Sequence, residues 1–114
     1  MILPSKIKFA DEKLKNAYEE LGRGRAEDKQ LFGFLNRAFS DVEANAFCGI
    51  PVPKELIPKE YKRKYKIDNL WKYNLPNAWR LLYSVERQDV IVVSIVLEWL
   101  KHASYSRKFG YKKK

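Results

Sequence analysis

The sequence predicts a single α+β domain, with an N-terminal strand and a two-helix hairpin packed on an antiparallel sheet and then a short C-terminal helix or tail. The first observation is size: 114 residues, 46% of them hydrophobic, suffice for one compact core and not for two. The second is periodicity. Apolar residues recur at helical spacing in the first half, whereas two extended runs, 79–86 and 90–97, occupy the end. Residues 1–114 are therefore interpreted as one domain.

The first elements are a strand and two helices. Residues 6–9 alternate polar and apolar, which predicts a strand with one buried face. Asp11 suits the N-cap of a helix that ends at residues 22–24, and a second helix is predicted from about Ala26 to Ala46. The apolar stripe of this second helix is interpreted as core packing and contains Leu31, Phe32, Leu35, Phe39 and Val42.

The middle of the chain contains three prolines and then a short helix rich in lysine. Pro58 suits the first position of this helix, which is predicted to continue through Lys66. Tyr61 and Tyr65 share one face of it. The cations share another: Lys59, Lys62, Arg63 and Lys66. The cationic face either contacts phosphates or is merely solvated while the tyrosines hold the helix to the core, and the sequence supports both interpretations equally.

The C-terminal part is predicted to form most of the sheet. A strand at about 69–75 leads through a turn at 75–78 into a hairpin, whose strands 79–86 and 90–97 are joined by residues 87–89. The segment that follows holds the only histidine of the chain, two tyrosines and several cations, so it is a plausible place for phosphate chemistry.

Alternation along residues 79–85 assigns the side chains of this strand to two faces. Trp79, Leu81, Tyr83 and Val85 form one set, and Arg80, Leu82 and Ser84 form the other. We expect the helices to cover the tryptophan face. Arg80 is then expected to point toward the open side of the sheet.

The net charge of +9 lies entirely in one half of the chain. Residues 1–58 hold nine Lys/Arg and nine Asp/Glu, whereas residues 59–114 hold fourteen and five. Clustered cations favour a polyanion such as nucleic acid, because each phosphate contact releases counterions. The alternative is a solvated basic surface that only aids solubility.

Membrane, metal and disulfide chemistry are not expected from the sequence. The longest apolar run, 90–97, falls far short of the roughly 20 residues that a membrane-spanning helix needs, and the N-terminus lacks a signal-peptide core. A soluble, cytoplasmic protein is therefore expected. Cys48 is the single cysteine, without Cys or His neighbours at metal-ligand spacing, and is interpreted as a small buried apolar side chain; no metal or other cofactor is expected.

Two motifs in the C-terminal half resemble a known family. The order of a strand, two helices and a meander of strands, with residues 79–83 (WRLLY) in the penultimate strand and His102-x-x-Tyr105 after the last, is similar to the RelE/ParE superfamily of type II toxins. The resemblance covers nearly the whole chain as topology and residues 69–111 as motifs. For the ribonuclease branch it implies a messenger RNA endonuclease that commonly works in the ribosomal A site, with an antitoxin as partner and no metal.

The resemblance also implies roles for individual residues. Arg80 matches the catalytic arginine of the family, His102 the basic or histidine position after the last strand, and Tyr105 the nearby tyrosine. In metal-free cleavage the ribose 2′-hydroxyl attacks the adjacent phosphate, so an arginine stabilises the growing charge and a histidine moves protons near neutral pH. Tyr105 or Tyr111 would stack on a base or donate to the phosphate. The predicted RNA contacts are Lys62, Arg63, Lys66, Lys72, Arg107, Lys108 and Tyr111.

Lys72 is the residue whose place depends most on strand register. Family members often carry lysines on the strand before the arginine, and Lys72 is the nearest match. A slip of one residue would move it to the other face of the sheet and leave Tyr73 or Asn74 in its place.

Plainer roles stay open for the same residues. His102 could be a hydrogen-bonded structural residue, and Arg80 could pair with Glu86 or Glu98 across the sheet. Glu98 is also a candidate general base. The functional alternative is a protein of this kind without catalysis, either a relative that binds DNA gyrase or a basic nucleic-acid-binding module.

Overall fold

A computed structural model describes residues 2–109 and shows an α+β domain with four helices and a five-stranded mixed sheet. The helices are α1 (Glu12–Leu21), α2 (Ala26–Ala44), α3 (Lys59–Tyr65) and α4 (His102–Lys108). The strands are β1 (Lys6–Phe9), β2 (Ile50–Pro51), β3 (Trp71–Asn74), β4 (Trp79–Gln88) and β5 (Ile91–Lys101), in the order β1-β5-β4-β3-β2. No helix in this part of the chain is both long and apolar enough to cross a membrane.

The sheet is mixed, whereas the sequence predicts an antiparallel one. β2, β3, β4 and β5 pair antiparallel with their neighbours, but β1 pairs parallel with β5, with Lys6 opposite Val93 and Phe9 opposite Val96. A parallel pair needs a long connection between its strands, which the helices and the intervening strands supply here. Alternation within a strand indicates a buried face but not the direction of its neighbour, so the sequence leaves this orientation open.

Local signals place most element boundaries close to their predicted positions. The Asp11 side chain accepts a hydrogen bond of 2.8 Å from the Leu14 backbone N–H and so caps α1. The strands of the hairpin are longer than predicted, because the turn narrows to Asp89 and Val90. Asp89 adopts a left-handed φ of 61°, as tight hairpin turns require.

The two faces of the sheet are covered by different helices. On the first face, α1 and α2 bury a core that includes Leu35, Leu81 and Val96. On the second face, α3 and α4 bury a core that includes Tyr61, Leu82 and Tyr105. The second face is therefore not the open side that the sequence predicts. The tyrosines of α3, Tyr105 of α4 and Phe109 after it need apolar surroundings, and they find them on this face.

A β-bulge changes the alternation along β5. Leu82 of β4 lies opposite Glu98, whereas Tyr83 lies opposite Val96, so Leu97 is an extra residue in β5. As a result Trp99 packs on the same face as Val96, three residues earlier, and joins Trp79 in the core under α2. Strict alternation would have placed Trp99 on the other face.

Cys48 is exposed, which contradicts its interpretation as a buried apolar side chain. It lies in the turn between α2 and β2, where the Cys48 backbone N–H bonds the Asn45 carbonyl at 3.0 Å. The packing at this turn is made instead by Phe47, whose ring stacks on Trp71 with centroids 5.3 Å apart.

Candidate functional site

The end of the sheet formed by β3, β4 and β5 brings together the residues that the sequence singles out for catalysis. Arg80, near the start of β4, lies opposite Asn74 of β3 and Leu100 of β5. Lys72 of β3 lies opposite Leu82, two residues from Arg80 along β4. Because opposite residues of an antiparallel pair share a face, Lys72 and Arg80 project from the same side of the sheet. The register on which Lys72 depends is thereby fixed.

Tyr105 of α4 forms the floor on which these two cations lie. Its side chain is 1% exposed, and its ring stacks on Phe109 with centroids 4.3 Å apart. The Lys72 Nζ lies 5.1 Å and the Arg80 Cζ 5.5 Å from the centroid of the Tyr105 ring. Both distances are within the range of a cation–π contact. A ring so deeply buried has no face left for a nucleobase, so its observed contacts point to positioning the cations rather than to stacking.

Arg80 makes its hydrogen bond to the only histidine of the chain. The distance from Arg80 Nη2 to His102 Nδ1 is 3.0 Å. A guanidinium can only donate, so Nδ1 accepts and the imidazole proton must be on Nε2. His102 Nε2 in turn lies 3.5 Å from the hydroxyl of Ser106, one helical turn further along α4. A protonated imidazole has no acceptor at Nδ1, so protonation of His102 and its contact with Arg80 exclude one another.

Part of the Arg80 guanidinium is buried without a matching acceptor. Its Nε has no hydrogen-bond partner among residues 2–109, although it is shielded from solvent. An unsatisfied buried donor is unfavourable by about 1–3 kcal/mol, and more where the group is charged. An anion that reached this nitrogen would supply the missing acceptor. Neither Glu86 nor Glu98 pairs with Arg80 in the described part of the chain.

A second buried tyrosine on the same face, Tyr61 of α3, lies in a group whose cation is already paired with carboxylates. Tyr61 donates a hydrogen bond to Glu98, and Lys108 Nζ lies 5.3 Å from the Tyr61 ring centroid. Lys108 also contacts Glu60 at 2.6 Å and Glu98 at 3.7 Å. Burial, together with the Glu98 hydrogen bond and charge, raises the pKa of Tyr61. Glu98 is thus held by structural partners, which weighs against its role as general base.

The pKa values of Glu60 and Lys108 shift in the directions expected for a stabilising ion pair. The hydrogen bond and charge of Lys108 lower the pKa of Glu60. Burial alone would lower the pKa of Lys108, but Glu60 and Glu98 outweigh it and raise that pKa. The predicted RNA contact of Lys108 therefore has to compete with two carboxylates.

The remaining predicted RNA contacts lie around this centre rather than within it. Lys62 and Arg63 on α3 are exposed, as is Arg107 on α4. Lys66 is exposed and caps α3 in a left-handed conformation, with φ 55° and ψ 44°. Within residues 2–109 no hydrogen bond or ion pair joins these four to Arg80 or His102. Tyr111 lies outside the described residues.

Ser106 is a neighbour of the site that the sequence interpretation misses. Its spacing from His102 is the signal that would have found it, because residues four apart face each other on a helix. That signal becomes usable only once His102 is known to begin a helix rather than to end a strand.

Comparisons of the chain with protein-family models, with curated proteins and with solved structures give no significant match. Within residues 2–109 no three His, Cys, Asp or Glu side chains are grouped as ligands for a metal ion. The basis for assigning a function is therefore the chemistry of the side chains around Arg80.

Proposed function

We propose that this protein is the toxin of a type II toxin–antitoxin system: a cytoplasmic, RelE-like, metal-free endoribonuclease that cleaves messenger RNA on the ribosome. The observation that carries the proposal is the 3.0 Å contact between Arg80 and His102, beside Lys72 and above the buried Tyr105. A fixed cation next to an imidazole that can act as a general base is what phosphodiester cleavage through the 2′-hydroxyl requires.

The reaction needs a base at the 2′-hydroxyl and positive charge at the phosphate. The 2′ oxygen forms a new bond to phosphorus while the bond from phosphorus to the 5′ oxygen breaks. His102 takes the proton of the 2′-hydroxyl, the leaving 5′ oxygen takes a proton from solvent water, and the imidazolium then returns its proton to solvent. Arg80 faces the phosphoryl oxygens on which negative charge grows, where a fixed donor is most effective. The products are a 2′,3′-cyclic phosphate and a free 5′-hydroxyl.

The Arg80–His102 contact belongs to the resting state in this mechanism. While Arg80 donates to Nδ1, that nitrogen cannot accept a proton from RNA. A bound phosphate competes for the guanidinium through charge-assisted, bidentate hydrogen bonds, which are stronger than a bond to a neutral imidazole. Arrival of the phosphate therefore frees Nδ1 to act as the base. His102 is activated only when a substrate is present.

The test is cleavage of messenger RNA with and without ribosomes, followed by analysis of the new ends. We expect 2′,3′-cyclic phosphate ends, and we expect His102→Gln to slow cleavage and to abolish the limb of the pH–rate profile that reports the base. Arg87→Ala is the control for a substitution away from the site, because Arg87 is exposed and lies at the opposite end of β4 from Arg80. Unchanged cleavage by His102→Gln would remove the histidine from the mechanism.

A cognate antitoxin is part of the same proposal. An acidic and apolar segment would block the cationic surface around Arg80 most directly, through competing charge and burial. Co-expression with the product of the adjacent gene should give a stable complex and relieve growth arrest. High-level expression of the chain alone, harmless in a host whose ribosomes it can engage, would contradict the toxin assignment.

A non-catalytic role in binding nucleic acid or DNA gyrase is the second candidate. The observation that favours it is the row of exposed cations on α3, which makes no contact with the Arg80–His102 centre within the described residues. Retained RNA binding without cleavage by any form of the protein, ribosomes included, would favour this candidate.

A further inference from the structure

A cleft lies directly behind the Arg80 centre, on the opposite face of the same sheet end. It has a volume of about 460 Å³ and lies between the first turns of α2, the start of β4 and the end of β5. Trp79 and Trp99 line it, both half-buried, and the Lys101 Nζ lies 5.2 Å from the Trp79 ring centroid. Trp79 directly precedes Arg80, and Lys101 directly precedes His102. The cleft and the proposed site are therefore one residue apart along the chain, both at the start of β4 and at the junction of β5 with α4.

We infer that this cleft binds a guanine base of the RNA whose phosphate lies at Arg80. The inference rests on the proposed function for the presence of RNA, and it adds a base-recognition subsite to it. Aromatic side chains bind single-stranded RNA by stacking on bases, and two indoles in one cleft of this size offer the surface for one base.

The polar residues of the cleft indicate which base it would accept. Glu27 and Asp28, in the first turn of α2, line the cleft and are exposed. Carboxylates accept hydrogen bonds and repel phosphate, so they select the uncharged edge of a base that carries N–H donors. Guanine presents two adjacent donors, N1–H and the N2 amino group, which a carboxylate can accept together. Adenine, cytosine and uracil each present one such donor group.

The wall of the cleft beside the strands is held in a defined shape. Asn77 and Ala78 both adopt left-handed backbone conformations, with φ of 61° and 64°. Asn77 is fixed there by two contacts: its side-chain amide donates to Gln30 at 3.3 Å, and its carbonyl accepts from Lys101 Nζ at 3.2 Å. Consecutive left-handed residues other than glycine are unfavourable unless the surroundings enforce them, and they are enriched at binding sites. Lys101 thus links the turn to the indole of Trp79.

The experiment follows the three indole N–H signals in NMR spectra during titration with guanosine 5′-monophosphate or cytidine 5′-monophosphate. Both ligands carry the same phosphate, so a difference between them reports the base. The Arg80→Ala variant is titrated as well, to separate the cleft from the phosphate site. Trp71 is an internal control, because its ring stacks between Phe47 and Tyr83 at another place on the sheet. Single Trp→Phe variants assign the signals.

We expect the guanosine nucleotide to shift the signals of Trp79 and Trp99 saturably, in wild type and in Arg80→Ala, and to bind about tenfold more tightly than the cytidine nucleotide. Glu27→Gln combined with Asp28→Asn should remove that preference. Glu43→Gln, an exposed carboxylate at the other end of α2, should leave it unchanged.

Absence of shifts at Trp79 and Trp99, or equal shifts at Trp71, would overturn the subsite. An unchanged preference in the doubly substituted variant would overturn base selection by the carboxylates. These outcomes are independent of cleavage: base binding without any cleavage would contradict only the proposed function, and cleavage without base binding would contradict only the subsite.

Discussion

Two buried tyrosines on one face of the sheet each lie beneath a cation, and the surroundings of that cation differ. At Tyr61, the Lys108 ammonium contacts Glu60 and Glu98. At Tyr105, the Arg80 guanidinium contacts a histidine, and its buried Nε has no hydrogen-bond partner within residues 2–109. In the first group the cation is paired with two carboxylates of the chain. The second holds a charged donor ready for an anion.

Aromatic support alone therefore does not distinguish a structural cation from a functional one. A cation over a tyrosine gains about 0.5–2 kcal/mol whichever group it belongs to. The distinguishing feature is which acceptors the N–H groups of the cation bond. In the Tyr61 group the Lys108 ammonium contacts carboxylates of the chain. In the Tyr105 group the Arg80 guanidinium still has a donor that can bond a phosphate.

The largest expected effect is on cleavage. Arg80→Ala should lower the cleavage rate about 10²- to 10³-fold, as removal of one transition-state donor does in other enzymes. Lys108→Ala should change the rate by less than about threefold, because that ammonium is occupied by Glu60 and Glu98. Single-turnover rates on one RNA, with circular dichroism to verify folding, measure both. Equal losses would remove the distinction between the two groups.

The next effect is on stability, where we expect a substitution in the Tyr61 group to cost more than the loss of Arg80. Tyr61→Phe removes the donor to the half-buried Glu98 and should lower the free energy of unfolding by about 1.5–3 kcal/mol. Arg80→Ala should lower it by less than about 1 kcal/mol, because Arg80 leaves an unsatisfied donor in the folded state. Urea unfolding gives both values. A larger loss for Arg80→Ala would identify Arg80 as a structural cation.

A smaller effect concerns RNA affinity. Replacing Lys62, Arg63 and Lys66 by glutamine should flatten the dependence of affinity on salt by about one unit for each phosphate that these side chains neutralise. The control replaces three exposed cations of the neutral half, Lys13, Lys15 and Lys29. Binding titrations at several salt concentrations compare the two triple variants. An identical slope in both would exclude α3 from the RNA surface.

The smallest effect is on the acid stability of the Tyr61 group. The folded-state pKa of Glu60 lies below its ordinary value of 4.5. The ion pair therefore stabilises the fold fully above pH 4.5, and this contribution is lost as the pH falls through the lowered folded-state pKa. Wild type should therefore lose its advantage over Glu60→Gln in acid. Unfolding midpoints of both proteins between about pH 2 and 7 measure this. A constant difference across that range would show that the charge of Glu60 is not responsible.

The sequence predicts the helices and strands more successfully than it predicts what packs against them. The division of β4 between two faces and the Asp11 cap are local signals, and both are found in the structure: Leu81 and Leu82 lie in different cores, and Asp11 caps α1. Whether Arg80 faces solvent is not a local question. Its surroundings depend on α3 and α4, whose aromatic residues cover the second face of the sheet.

The positions of Lys72 and Trp99 could not be predicted from the sequence, for a related reason. Lys72 requires the β3–β4 register, which a strand of only four residues does not specify. Trp99 requires the bulge at Leu97, which shifts every later residue of β5 to the opposite face. Period-two patterns contain neither piece of information, so the cleft beside Trp79 is visible only in three dimensions.

The proposed mechanism requires that Arg80 and His102 act together on one phosphate. It is tested most directly by the cleavage rates of Arg80→Ala, His102→Gln and the double variant, each shown to be folded. Residues that act as a unit give non-additive losses. We therefore predict that each single variant is strongly impaired and that the double variant loses much less than the product of the two single losses. Wild-type rates in both single variants, or fully multiplicative losses in the double variant, would contradict the account.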